Sequence, residues 1–126
     1  MSFDEGWAGW WRIVDSDMWD REALELLGPA LLSLGSEDDR LRMIAILARV
    51  HARPTKRGVS FTWEGASEFD PVSGTGTASV GKDGRLKGWI RIKDGDETTF
   101  VAVRADEPDE PIADPPSYRD KWRRRW

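Results

Sequence analysis

Between residues 57 and 104 the chain repeats one pattern four times. Val59, Phe61 and Trp63 alternate with Ser60, Thr62 and Glu64. A period of two in β-branched and aromatic residues belongs to a half-buried strand. Residues 74–80 put Gly76, Ala78 and Val80 on one face and Thr75, Thr77 and Ser79 on the other. Residues 86–93 set Leu86, Gly88, Ile90 and Ile92 against Lys87, Trp89, Arg91 and Lys93, and residues 98–104 set Phe100 and Ala102 against Val101 and Val103. Residues 68–73 read as a polar loop. Lys82-Asp83-Gly84-Arg85 reads as a hairpin turn, because Asp-Gly supplies the positive φ such turns require. Residues 94–97 make the next turn. Strands joined by connections this short pair with their sequence neighbours, which predicts an antiparallel up-and-down sheet able to curl into a small barrel.

The flanks fit the same frame. Residues 1–6 are acidic and lack the basic-then-apolar order of a secretory signal. Trp7, Trp10 and Trp11 then form the densest aromatic cluster in the chain. Neighbours on a strand face opposite ways, so Trp10 and Trp11 need two surfaces; they plug one end of the sheet or anchor a partner. Asp15-Ser16-Asp17 offers capping oxygens for a short helix over residues 17–27, with Trp19, Ala23, Leu26 and Leu27 near one face, and Gly28-Pro29 stops it. Residues 30–34 form a short apolar strand and 35–39 a turn. Residues 41–53 favour helix by propensity. As a strand they would be apolar on both faces. Their second half reads as strand, because 49–53, 54–57 and 58–63 make a strand, a polar turn and a strand; residues 41–47 stay open between helix and strand.

Residues 106–118 mix five acids with four prolines, the composition of an extended linker. Residues 119–126 are basic and aromatic. The expected organisation is therefore a β-rich domain over 1–105, an acidic linker over 106–118 and a terminal peptide over 119–126. The 126 residues carry a net charge of −4, eight tryptophans and no cysteine. The charge argues against a nucleic-acid coat over the whole surface. The missing cysteine removes disulfides and thiolate metal sites and accords with a cytoplasmic home. No apolar run approaches the length of a membrane helix.

Catalytic constellations are not evident. His51 is the only histidine and there is no thiol. No serine sits in a nucleophile turn, and Gly74-Thr75-Gly76 is too short for a phosphate loop. Glu64, Glu68 and Asp70 bring three carboxylates within seven residues, but without the spacing of a calcium loop; they read as solvated turn acids or partners of Arg49, Arg53 or Lys87. Lys87, Arg91 and Lys93 flank Trp89, a pattern that grips a phosphate or stacks a base and that an ordinary solvated face also produces. Trp122 and Trp126 are four apart, with Arg123, Arg124 and Arg125 between them. Trp and Arg are the residues enriched at binding hot spots.

The stretch Phe61-Thr62-Trp63-Glu64-Gly65-Ala66-Ser67-Glu68-Phe69-Asp70-Pro71-Val72-Ser73-Gly74-Thr75-Gly76 resembles a motif of small bacterial proteins of unknown function, F-S-W-E-G-x-D-E-x-D-P-x-S-G-R-G. Gly88-Trp89-Ile90, Gly95-Asp96-Glu97-Thr98-Thr99-Phe100-Val101-Ala102, Met18-Trp19-Asp20 and Leu26-Leu27-Gly28-Pro29-Ala30 follow the same type. The resemblance spans roughly residues 11–104 and implies a compact, mostly β fold; it carries no activity and no site. The chain departs from it at Thr75, where the pattern has Arg, and in the tail.

The sequence thus predicts a mainly β protein with one short helix, a curled antiparallel meander or small calycin-like barrel. It implies no enzyme, cofactor or metal. The first functional expectation is an interaction module that docks another protein through Trp122, Arg123, Arg124, Arg125 and Trp126, with Trp10 and Trp89 as aromatic surface. A second is a barrel holding a small ligand, with room left by Gly76, Ala78, Gly88 and Ala102. A third is nucleic-acid binding through Lys87, Arg91, Lys93 and the tail.

Overall fold

The computed structural model describes residues 5–68 and 70–115. Eight antiparallel strands close into a barrel in sequence order: β1 (Gly9–Ser16), β2 (Leu31–Leu34), β3 (Asp39–Met43), β4 (Ile46–Pro54), β5 (Val59–Ser67), β6 (Asp70–Val80), β7 (Leu86–Ile92) and β8 (Glu97–Arg104). Closure is made by β8 pairing back on β1, Trp11 opposite Arg104 and Ile13 opposite Ala102. The expected meander is therefore a full barrel, with one short helix, α1 (Arg21–Leu24), between β1 and β2.

Register explains how the inside fills. Trp63 faces Gly74 and Phe61 faces Gly76, while Gly88 lies between Ala78 and Phe100. A Cβ on Gly74 would sit 2.5 Å from the Trp63 ring, and one on Gly76 would overlap the Phe61 ring. The space these small residues open in β6 is occupied by the facing rings, the large-against-small fit that a narrow barrel needs. Trp11, Ile13, Leu32, Leu41, Met43, Leu86, Ile90 and Phe100 complete the buried core. Trp11 is fully buried; its Nε1–H donates 2.8 Å to the Trp7 carbonyl. The Arg104 guanidinium lies 4.1 Å over its ring and donates to the Ala8 and Gly6 carbonyls. The Trp7–Trp11 cluster thus closes one end of the barrel.

Three local expectations are corrected. The helix spans one turn rather than residues 17–27. Ser16 Oγ accepts the Met18 and Trp19 amides at 3.1 and 3.2 Å, and Asp17 is held by β8 through Thr98 and the Thr99 amide. Asp20, not Asp15–Asp17, is the cap, accepting the Ala23 amide at 2.8 Å. Residues 41–47 are neither one helix nor one strand. A two-residue turn at Ile44-Ala45 joins Met43 to Ile46, with Ile44 at φ 55°. A β-branched residue there is strained by roughly 1–3 kcal/mol; it is held because its N–H donates 2.9 Å to the Leu24 carbonyl and its side chain packs on the core. Finally, β6 begins at Asp70, so the expected loop over 68–73 is a hairpin with Ser67 paired to Asp70.

Candidate functional site

The outside of the barrel divides into two walls. Over β1 to β3 the outward side chains are covered. Trp10 pairs with Ser33 and Arg12 with Leu31; Ser33 is 2% and Leu31 5% exposed although both point outward. Two elements lie on them. The α1 region is tied down by Arg12, which donates twice to Glu25 at 2.8 and 2.9 Å, and by Arg42, which donates 3.0 Å to the Pro29 carbonyl. The other element is the segment after β8. The Ala105 amide donates 3.1 Å to the Trp10 carbonyl on β1. The Asp114 carboxylate then pairs with Arg40 on β3 and, at 3.3 Å, with Arg49 on β4. Residues 105–115 thus cross the wall as a strap with no regular secondary structure, and Ile112 is buried beneath it at 5% exposure. Arg40 and then Arg49 hold the Asp114 carboxyl below its ordinary pKa.

The wall of β4 to β7 is bare. Its register lines up side chains in rows across four strands. One row runs Arg49, Glu64, Ser73, with Lys93 bonded to the Ser73 carbonyl. The next runs His51, Thr62, Thr75, Arg91, and a third Arg53, Ser60, Thr77, Trp89. A shallow groove of about 470 Å³ follows the first two rows, lined by His51, Thr62, Glu64, Thr75, Arg91 and Lys93, with Gly74 in its floor. His51 Nε2 is 3.1 Å from Glu64 Oε1, both side chains exposed.

The charges of this wall have one dominant sign. Residues 46–93, which span these four strands and their hairpins, hold nine lysines and arginines against four acids, a net +5. With a chain total of −4, the remainder carries −9. Arg53, Lys56, Arg57, Lys82, Arg85 and Lys93 have no ion-pair partner among the described residues, whereas Lys87 pairs with Asp83 at 3.2 Å and Arg91 with Glu97 at 2.7 Å. Lys56 and Arg57 also line a second groove with Trp7, Pro54 and Val80, at the barrel end that Trp7 closes. A concentration of one sign over neighbouring strands raises the local potential and draws in the opposite charge.

The residues expected from sequence fall in different places. Lys87, Arg91 and Lys93 flank Trp89 on the bare wall as expected. Arg91 stacks over the Trp89 ring at 5.1 Å. Trp10 is half-buried on the covered wall, two strands from Trp89. Trp122, Arg123, Arg124, Arg125 and Trp126 lie outside the described residues. Glu64, Glu68 and Asp70 are not brought together: among the described residues no three acidic or histidine side chains form a metal-binding group. Sequence reasoning missed Arg49, Arg53, Lys56, Arg57, Lys82 and Arg85 as members of the same face. Their signal was present in β4, where Arg49, His51 and Arg53 alternate with Ala48, Val50 and Ala52. No helix among the described residues is long and apolar enough to cross a membrane.

No protein-family model, no curated protein and no solved structure matches this chain.

Proposed function

We propose that the chain is a non-enzymatic binding module whose docking surface is the outer wall of β4 to β7 and whose partner is a polyanionic macromolecule. The observation that carries this reading is the charge segregation: nine cations against four acids on residues 46–93 of a chain with a net charge of −4. A chance solvated face would be expected to share the overall sign. The hydroxyls of Thr62, Ser73 and Thr75 along the groove add neutral donors between the cations. The cations of the terminal peptide, Arg123 to Arg125, have the same sign and extend the same chemistry.

The ligand-barrel reading has less support. Rings from Phe61 and Trp63 lie where Gly76 and Gly74 would leave room, and the groove described above is on the outer surface.

Retention on immobilised heparin at low salt tests the proposal. The chain is expected to bind and to elute as salt rises, since contacts to a polyanion release counterions. The variant Lys87→Glu/Arg91→Glu/Lys93→Glu, with its tail intact, is expected to pass through. Equal retention of that variant would move the site away from this wall.

A further inference from the structure

We infer that the polyanion is a single-stranded nucleic acid, a base stacking on Trp89 and the adjoining phosphates lying in the groove above Gly74; this rests on the binding reading just given and names its partner.

Three observations point there. First, the barrel is closed. An extended peptide usually gains its affinity by adding a strand to a sheet edge, and a closed barrel has none. Whatever binds this wall is held by side chains alone. Second, those side chains are the kind that hold a single strand. Trp89 is half-buried, with Lys87 and Arg91 on either side of it on the same face and Arg91 over one side of its ring. Its cross-strand neighbours are the short Thr77 and Thr99. Next to it, Arg91 and Lys93 share the groove with Thr62, Ser73 and Thr75. Guanidinium, ammonium and hydroxyl donors are the usual contacts to phosphate. An aromatic platform beside a cationic track is the arrangement that binds single strands without reading sequence.

Third, the surface has the wrong shape for a duplex. Duplex readers place a helix or a β-ribbon into a groove, and the outside of this wall is a convex sheet with its hairpin tips at the rims. A flexible strand can follow that curvature, whereas a rigid duplex touches it along a line. Arg91 is already engaged, by Glu97 at 2.7 Å and by one side of the Trp89 ring at 5.1 Å, but the Arg91 and Glu97 side chains are about half exposed. Such pairs contribute little, so a phosphate readily replaces the carboxylate.

The test uses the full chain and fluorescence anisotropy with three labelled probes: a twelve-nucleotide oligothymidylate, a duplex of the same length and a glutamate dodecapeptide. The oligothymidylate is expected to bind tightest. Trp89→Ala is expected to weaken it about tenfold, in keeping with the loss of one stacked base, with the circular dichroism unchanged. Trp89→Phe should retain most of the affinity, and Glu97→Gln should raise it severalfold by freeing Arg91. Wild-type affinity in Trp89→Ala, or a duplex or peptide bound as tightly as the oligothymidylate, would overturn the inference. If heparin is retained while the oligothymidylate shows no preference, the binding wall stands and the nucleic-acid assignment falls. If neither binds at low salt, both fall.

Discussion

The two walls of the barrel enclose one interior, yet their outward side chains have opposite fates. On β1 to β3 nearly every outward polar group has an internal partner. Arg12 holds Glu25, Arg42 holds the Pro29 carbonyl, Ser33 Oγ accepts the Arg40 amide at 2.8 Å, and Arg40 pairs with both Asp38 and Asp114. On β4 to β7 the outward positions repeat the same residue types, arginine and serine among them, but most of the cations face solvent. A strap and a helical turn account for the difference. The covered wall is where the acidic segments of the chain have folded back on arginine. The bare wall is where no such segment reaches beyond Arg49. Asp114, set between Arg40 and Arg49, is the chain's own example of an anion held on this barrel.

The largest expected effect is on binding. Reversing Lys87, Arg91 and Lys93 to glutamate replaces three attractive charges by three repulsive ones, and affinity for an anionic polymer at low salt should fall at least about a hundredfold. Reversing Arg21 and Arg42, on the covered side, should change it less than about threefold. Titration calorimetry of the two variants decides; similar losses would mean that the walls do not differ in function.

The next effect is on stability. Ile112 is buried under the strap, and Ile112→Ala should cost about 2 kcal/mol in urea unfolding, the low end for a core truncation because the strap can settle. Thr75→Ala, exposed on the bare wall, should stay within about 0.5 kcal/mol. A negligible cost at Ile112 would show that the strap is not part of the folded unit.

The smallest effect is a pH step. Asp114 has its folded pKa lowered by Arg40 and then Arg49. A lowered carboxylate stabilises the seated strap above the unfolded value of about 3.9, and that contribution is lost as pH falls through the folded value below it. Limited proteolysis within 105–115 should therefore accelerate below about pH 4. Asp114→Asn should raise cleavage at neutral pH and remove the step. Identical cleavage of both proteins across this range would contradict the ion-pair anchor.

Much of the barrel was legible because three of its hairpins, at residues 54–58, 81–85 and 93–96, obey simple rules. Alternation in β5, β7 and β8 reported the inward residues, and Asp83-Gly84 reported a turn. The first half was harder for a physical reason. Leu41 and Met43 point inward on odd numbers, and Ile46, Ala48 and Val50 on even ones. The turn at Ile44-Ala45 switches the phase, and read as one strand the stretch looks apolar on both faces. No glycine, asparagine or proline marks that turn, since tertiary contacts from Leu24 and the core hold Ile44 in place. The helix was overestimated because Ser16 and Asp17 bond to their surroundings rather than cap it. The cationic residues around Trp89 could be named, but their union with Arg49, Arg53, Lys56 and Arg57 depends on the register across β4 to β7. The strap was hidden as well: one isoleucine and one aspartate among prolines do not reveal that both are anchors.

The most direct test is to map the amides of the full ¹⁵N-labelled chain by NMR while titrating in a heparin oligosaccharide. Shifts are expected to concentrate in residues 46–64 and 73–93, strongest around Thr62, Thr75 and Arg91, with β1 to β3 and residues 105–115 left unchanged. Shifts centred on α1 and the strap, or spread evenly over both walls, would contradict the division on which the functional reading stands.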